Sequence, residues 1–197
     1  MNRLARLVIV LAAATIHPTV AAAQSLPFRA GQWGAEFQSG DLTTAGVMRF
    51  MTPATALVLD VGIIDVGAET NQNVGGDSDK NSLSLLNARL GLRSYRPLAN
   101  RVAGFWTAGL EVARASEEQT IPGIFGPETV KQTEKHYGVF GQLGADYHVT
   151  NNLAVGMAFD VTYARISGKQ ESTNSNVDIT GHRFTATFTP VRVSLFF

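Results

Sequence analysis

Apolar and polar positions alternate with a period of two along most of this chain, and no helical period competes with that alternation. Eight stretches rich in Val, Leu, Phe, Tyr, Thr and Gly carry it, near residues 31–38, 44–51, 56–68, 81–95, 101–115, 136–149, 153–167 and 179–197. Around 136–149, Tyr137, Val139, Leu143, Ala145 and Tyr147 share one face, and His136, Gly138, Phe140, Gln142, Gly144 and Asp146 share the other. Around 153–163, Leu153, Val155, Met157, Phe159, Val161 and Tyr163 oppose Ala154, Gly156, Ala158, Asp160 and Thr162. Leu86, Ala88, Leu90 and Leu92 oppose Asn87, Arg89, Gly91 and Arg93. Such two-faced segments predict strands of an all-β fold.

Alternation alone does not say which face points inward, but three features turn the apolar face outward. The more polar face is rich in Gly and Ala, which suit a crowded barrel interior. Tyr137 and Tyr147 mark the two ends of one apolar stripe, with Trp106 and Tyr163 near the ends of theirs, like aromatic girdles at two membrane interfaces. Several segments also exceed the ~9–11 residues that a tilted strand needs to cross a bilayer. Two places break the phase. One is Ile64-Asp65-Val66. The other is Thr189-Pro190, where inward and outward positions exchange and a bulge is predicted, since Pro cannot donate a ladder bond.

The links alternate in length. Residues 52–55, 96–100 and 150–152 are short; residues 69–80, 116–135 and 168–178 are long and mostly polar, and 39–43 is modest. Eight strands with both ends on one side give three short turns on that side and four longer loops on the other, as outer-membrane barrels have. Lipid offers no hydrogen-bond partner, so the sheet is expected to close on itself.

Composition narrows the setting. Arg3 and Arg6, the apolar stretch LVIVLAAATI and Ala21-Ala22-Ala23 make residues 1–23 an export signal, with a mature start at Gln24. The chain has 16 basic and 16 acidic residues; without Arg3 and Arg6 the basic count falls to 14. No basic run points to nucleic acid. The absence of cysteine excludes disulfides and thiolate metal sites.

The last strand, Val191-Arg192-Val193-Ser194-Leu195-Phe196-Phe197, ends in an aromatic preceded by alternating apolar residues. With the signal and the eight strands, the region 24–197 resembles the outer-membrane β-barrel domain family, the eight-stranded OmpA- and OmpX/Ail-like group. The resemblance implies an eight-stranded antiparallel up-and-down transmembrane barrel in the cell outer membrane, among lipid and lipopolysaccharide. It also implies that the barrel-assembly machinery reads Val191, Val193, Leu195 and Phe197.

Parity places Glu36, Asp60, Glu111, Asp146 and Asp160 inside, with Arg49, Arg89, Arg93 and Arg192. Charges in so narrow a space must pair or stay wet. They form either a filling ion-pair network or a narrow gated path. The three histidines after the signal are His136, His148 and His182; they show no catalytic pattern with Ser172, Ser175, Glu134 or Asp178, so no enzyme activity and no cofactor are expected. Asp77 and Asp79 lack the rest of a calcium loop, and no metal site is expected. Loop 116–135 has an apolar tip with Ile121, Ile124 and Phe125, a candidate contact surface for an unspecified surface partner. The readings left open are a structural or surface-interaction barrel, a narrow transport channel or small-ligand carrier, and a soluble periplasmic barrel binding an apolar ligand.

Overall fold

A computed structural model describes residues 26–40, 43–71, 78–123, 126–172 and 175–197. They form eight antiparallel strands in one ring: β1 (Trp33–Ser39), β2 (Thr44–Thr52), β3 (Thr55–Asn71), β4 (Ser78–Ala99), β5 (Val102–Gly123), β6 (Gly126–His148), β7 (Leu153–Ser172) and β8 (Ser175–Phe196). Each strand pairs with the next, and β8 returns to β1 through Gly34↔Phe196 to Ser39↔Val191. The export signal and its cleavage point lie outside the described residues.

The apolar faces look outward. Leu90, Val155, Phe159 and Leu195 are all exposed on the outer face, while Glu36, Arg93, Arg192 and Asp146 lie buried inside. A soluble barrel holding an apolar ligand would need the reverse. Tyr137 and Tyr147 stand ten residues apart on β6. At a strand rise of ~3.4 Å and a tilt near 40°, they bracket about 25 Å, the height of the apolar band of such barrels.

Short turns close one end, at 53–54, 100–101 and 149–152. At the other end the strands run further than the alternation shows. β5 and β6 pair without a break from Val102↔Tyr147 to Gly123↔Gly126, so most of the expected loop 116–135 is a tall hairpin. Residues 168–172 and 175–178 likewise extend β7 and β8. Above the apolar band both faces of a strand meet water, so hydrogen bonding continues without any apolar period to announce it. The phase break at Ile64-Asp65-Val66 does not disturb the backbone, which keeps its register with Leu85-Ser84-Leu83. The bulge at Pro190 is present: Gly156 faces Arg192 and Ala158 faces Thr189, leaving one residue of β7 against two of β8.

One parity assignment is corrected. Arg49 lies on the outer face, with its guanidinium 5.5 Å from the centre of the Trp33 ring. It shares its side of β2 with Val47 and Met51, both exposed, and sits directly opposite Trp33 on β1. A long cationic side chain next to an interfacial aromatic keeps its charge in the headgroup zone.

The wall is lower on one side. β1 and β2 have only 7 and 9 residues, against 17 to 23 in the other strands. Pairing of β1 with β8 stops at Ser39↔Val191, and pairing of β2 with β3 at Thr44↔Gly62. Above that level β3 pairs only with β4, and β8 only with β7, among the described residues. Phe188 and Phe184 lie higher on β8 and are exposed outward, so this notch begins within the apolar band. Pro190, which has no N–H to offer, stands on its edge.

Candidate functional site

The interior fills in layers from the end with short turns. The segment before β1 folds back into the mouth and inserts Phe28. Its ring centre lies 4.3 Å from Phe50, 4.7 Å from Tyr95, 4.9 Å from Phe196 and 5.3 Å from His148. Gly31 N–H donates to the Phe50 carbonyl and holds the turn, helped by its own positive φ. This aromatic packing buries Phe28, Phe50, Tyr95 and Phe196 at the mouth. It also pushes the His148 imidazole below its ordinary pKa, with Asp146 partly offsetting the effect of burial.

Above the aromatic stopper lies a cross-brace of charge. Glu36 accepts hydrogen bonds from Arg93 and from Arg192, and all three side chains are inaccessible to solvent. Arg192 also donates to both oxygens of Asp146 at 3.2 and 3.3 Å. Arg93 donates to Thr107 at 2.9 Å and to Gln142 at 3.0 Å. The Phe105 ring sits against both guanidiniums, 4.8 Å from Arg93 and 4.2 Å from Arg192. That ring fits because its cross-strand partner is Gly144: a Cβ there would stand 2.3 Å from the ring. The glycine thus seats an aromatic over a stretch of backbone with no side chain.

A second layer follows. Arg89 donates to Glu111 at 2.6 Å and to Asp160 at 3.1 Å, and Gln142 donates to Asp160 at 3.1 Å. Phe140 lies beneath the Arg89 guanidinium at 5.1 Å. Higher still, His136 and Glu134 are 2.9 Å apart; this contact holds the Glu134 carboxyl below its ordinary range.

The structure places Glu36, Asp60, Arg89, Arg93, Glu111, Asp146, Asp160 and Arg192 on the inner face. Asp60 differs from the others. It is buried, its Oδ1 has no hydrogen-bond partner, and it makes no ion pair among the described residues. His136 faces the interior, while His182 stacks on Tyr163 at 5.7 Å on the outer face; the barrel wall separates them. Val191, Leu195 and Phe197 face outward, and Val193 shares their side. Ile124, Phe125 and Asp77 lie outside the described residues. Ile121 is in β5, opposite Glu128. Among the described residues no group of three or more His, Asp or Glu could hold a metal.

The expected set of interior charges leaves out Phe28, Gln38, Gln142 and Thr107. The two glutamines and Thr107 share parity with the interior charges, which was an available signal. Phe28 stands alone in a segment with no period.

No family model and no curated protein matches this chain. Solved structures do. A major outer membrane protein from Thermus thermophilus is 14% identical, with a TM-score of 0.54 over 84% of this chain and 98% of that one. The outer membrane protein AlkL, solved in lipid bilayers, is 15% identical, with a TM-score of 0.51 over 92% and 97%. Escherichia coli outer membrane protein W shares 11% identity, with a TM-score of 0.43 over 86% and 99%. At such identities the likeness concerns the fold. With the outward apolar band, it shows that this chain has the fold of the eight-stranded outer-membrane β-barrels.

Proposed function

We propose that this is a sealed, non-enzymatic barrel of the cell outer membrane, acting as a structural element and through the outer ends of its strands. In this reading residues 1–23 direct export and are removed. The barrel-assembly machinery reads Val191, Val193, Leu195 and Phe197. The mature barrel sits among outer-membrane lipid and lipopolysaccharide, and its tall hairpins, including the tip at Ile121, Ile124 and Phe125, meet whatever lies outside. The observation that carries the reading is the cross-brace of Glu36, Arg93 and Arg192, fully buried over the Phe28 stopper. Eight strands enclose only enough room for side chains, and here that room is taken by groups that hold one another.

The test is planar-bilayer recording of the purified mature chain. The expected result is no steady conductance; reproducible single-channel steps would overturn the reading. Phe197→Asp should reduce the heat-modifiable, membrane-inserted fraction, and normal insertion would remove the terminal-signal assignment.

The notch favours a second reading, passage of a small solute between the outer vestibule and the bilayer. Thr187 faces inward beside the notch, opposite Asp160. A Thr187→Trp variant that also carries Trp33→Phe and Trp106→Phe should be quenched in vesicles by brominated acyl chains if lipid reaches the gap. Unquenched fluorescence would remove this alternative.

A further inference from the structure

The outward apolar residues end at Leu86 on β4, Val112 on β5, Tyr137 on β6, Tyr163 on β7 and Phe184 on β8. Immediately above them, on the outer face, come Arg114, Lys135 and Arg165, with His182 beside them. Arg114 stands directly across from Lys135, and Arg165 across from His182. The remaining cross-strand neighbours of this tier are Leu86, Ser167 and Tyr137. All three cations are exposed, and none makes an ion pair among the described residues.

A second tier higher up gives an internal contrast. Lys131 stands between Glu118 and Glu171, and Lys169 stands opposite Asp178. Every cation there has an acidic neighbour across the strand. Like charges directly opposite destabilise a sheet and unlike charges support it. The upper tier obeys that rule and the lower tier breaks it, at the level where the apolar band ends and lipid headgroups begin.

From this we infer that Arg114, Lys135 and Arg165 form a docking site for the phosphorylated headgroup of an outer-leaflet glycolipid, whose acyl chains lie along the apolar band below. The inference rests on the proposed orientation, with the tall hairpins outside. The anion comes from the lipid, because the cluster adjoins the apolar band and Tyr137 and Tyr163 anchor the interface beneath it. Phosphate pairs with arginine through charge-assisted bonds, and each cation near an anionic membrane surface is worth roughly fivefold in binding.

The experiment uses the full mature chain, purified in zwitterionic detergent and titrated with bisphosphorylated lipid A, read by native mass spectrometry. Removing the lower tier by Arg114→Gln, Lys135→Gln and Arg165→Gln together should weaken retention at least tenfold. Removing the upper tier by Lys131→Gln and Lys169→Gln should change it less than twofold. Heat-modified mobility confirms that both variants fold. Equal retention by the lower-tier variant, an equal loss in both variants, or equal binding of fully dephosphorylated lipid A would each overturn the site. Orientation is checked apart from binding, by labelling Asn176→Cys on whole cells with an impermeant maleimide. Labelling without phosphate-dependent retention refutes the docking site alone; absence of labelling refutes the orientation and the site with it.

Discussion

Replacing Glu36 with Gln is the sharpest perturbation of the sealed interior. The Glu36 carboxylate receives four hydrogen bonds. Oε1 accepts from Arg93 Nη2 at 3.1 Å and from Gln38 at 2.7 Å, and Oε2 accepts from Arg93 Nη1 and Arg192 Nη2. An amide keeps the shape but turns one oxygen into a donor, so two of these contacts become donor against donor. A hydrogen bond to a charged group contributes about 1.5–3 kcal/mol, and breaking a buried ion pair costs about 3–5 kcal/mol. Arg192 still has Asp146, and Arg93 still has Thr107 and Gln142, so the lower part of that range, about 3–4 kcal/mol, is expected for Glu36→Gln. The assay is urea unfolding of the refolded barrel in lipid, followed by tryptophan fluorescence. Trp33 and Trp106 both lie on the outer face and report departure from the bilayer. Arg49→Gln is the matched control: its guanidinium lies outside on Trp33, and its loss should cost under about 0.5 kcal/mol, as exposed charges do. A Glu36→Gln loss below about 1 kcal/mol, or an equal loss for Arg49→Gln, would refute the view that this cross-brace holds the barrel.

Four other outcomes follow from the same packing. Asp60→Asn should leave stability unchanged or raise it, because it removes a second acid beside the buried Glu36 carboxylate, one with no ion-pair partner among the described residues; a loss above about 1 kcal/mol in the same urea assay would refute this. Gly144→Ala places a methyl 2.3 Å from the Phe105 ring and 2.5 Å from the Met157 carbonyl, so it should cost about 1–3 kcal/mol; Gly181→Ala, with open space around it, should cost little. Phe28→Ala should free the stopper, read as faster tryptic cleavage after Arg29. His148 is held neutral by burial, so its contribution is complete above its unfolded pKa near 6.5 and is lost as pH falls below it; from about pH 7.5 to pH 5 the urea midpoint of the native chain should fall relative to that of His148→Phe, and parallel midpoints would refute this.

The sequence exposed those parts of the fold where lipid lies on one face and packed side chains on the other. There the period of two is forced, and the strand ends at the short turns fall within four residues of the expected positions, as in β4, which runs to Ala99. Where water lies on both faces the constraint disappears. Nothing in Glu117-Glu118-Gln119 or Lys131-Gln132-Thr133 shows that these residues pair across β5 and β6. The inward placement of Arg49 does not hold because Arg49 alternates in phase with Val47 and Met51, both outward. The notch was not readable at all, because it depends on how far β1 and β2 climb against β8 and β3, a comparison of registers between distant parts of the chain.

The division of labour between the two faces bounds where function can lie. Lipid tails are as apolar as the leucines that meet them, so the outer band gains little from packing side chain on side chain. Specific stability must come from backbone pairing and from the interior, and here the interior is polar. Each large side chain in the lower half has a packing or bonding role: Phe105 lies between two guanidiniums, Gln142 bridges Arg93 and Asp160, and Tyr95 packs on Phe28. A side chain committed in this way cannot also open a path without breaking the network. The outer parts of β3 to β8 are under no such demand, since they are held by backbone bonds in water and their side chains are free to be chosen for other reasons. The unmatched cations Arg114, Lys135 and Arg165 stand where the two regimes meet. A sheet indifferent to its surroundings would pair them with acids, as it does one tier higher, and their lack of partners is therefore informative about what lies against the outer wall.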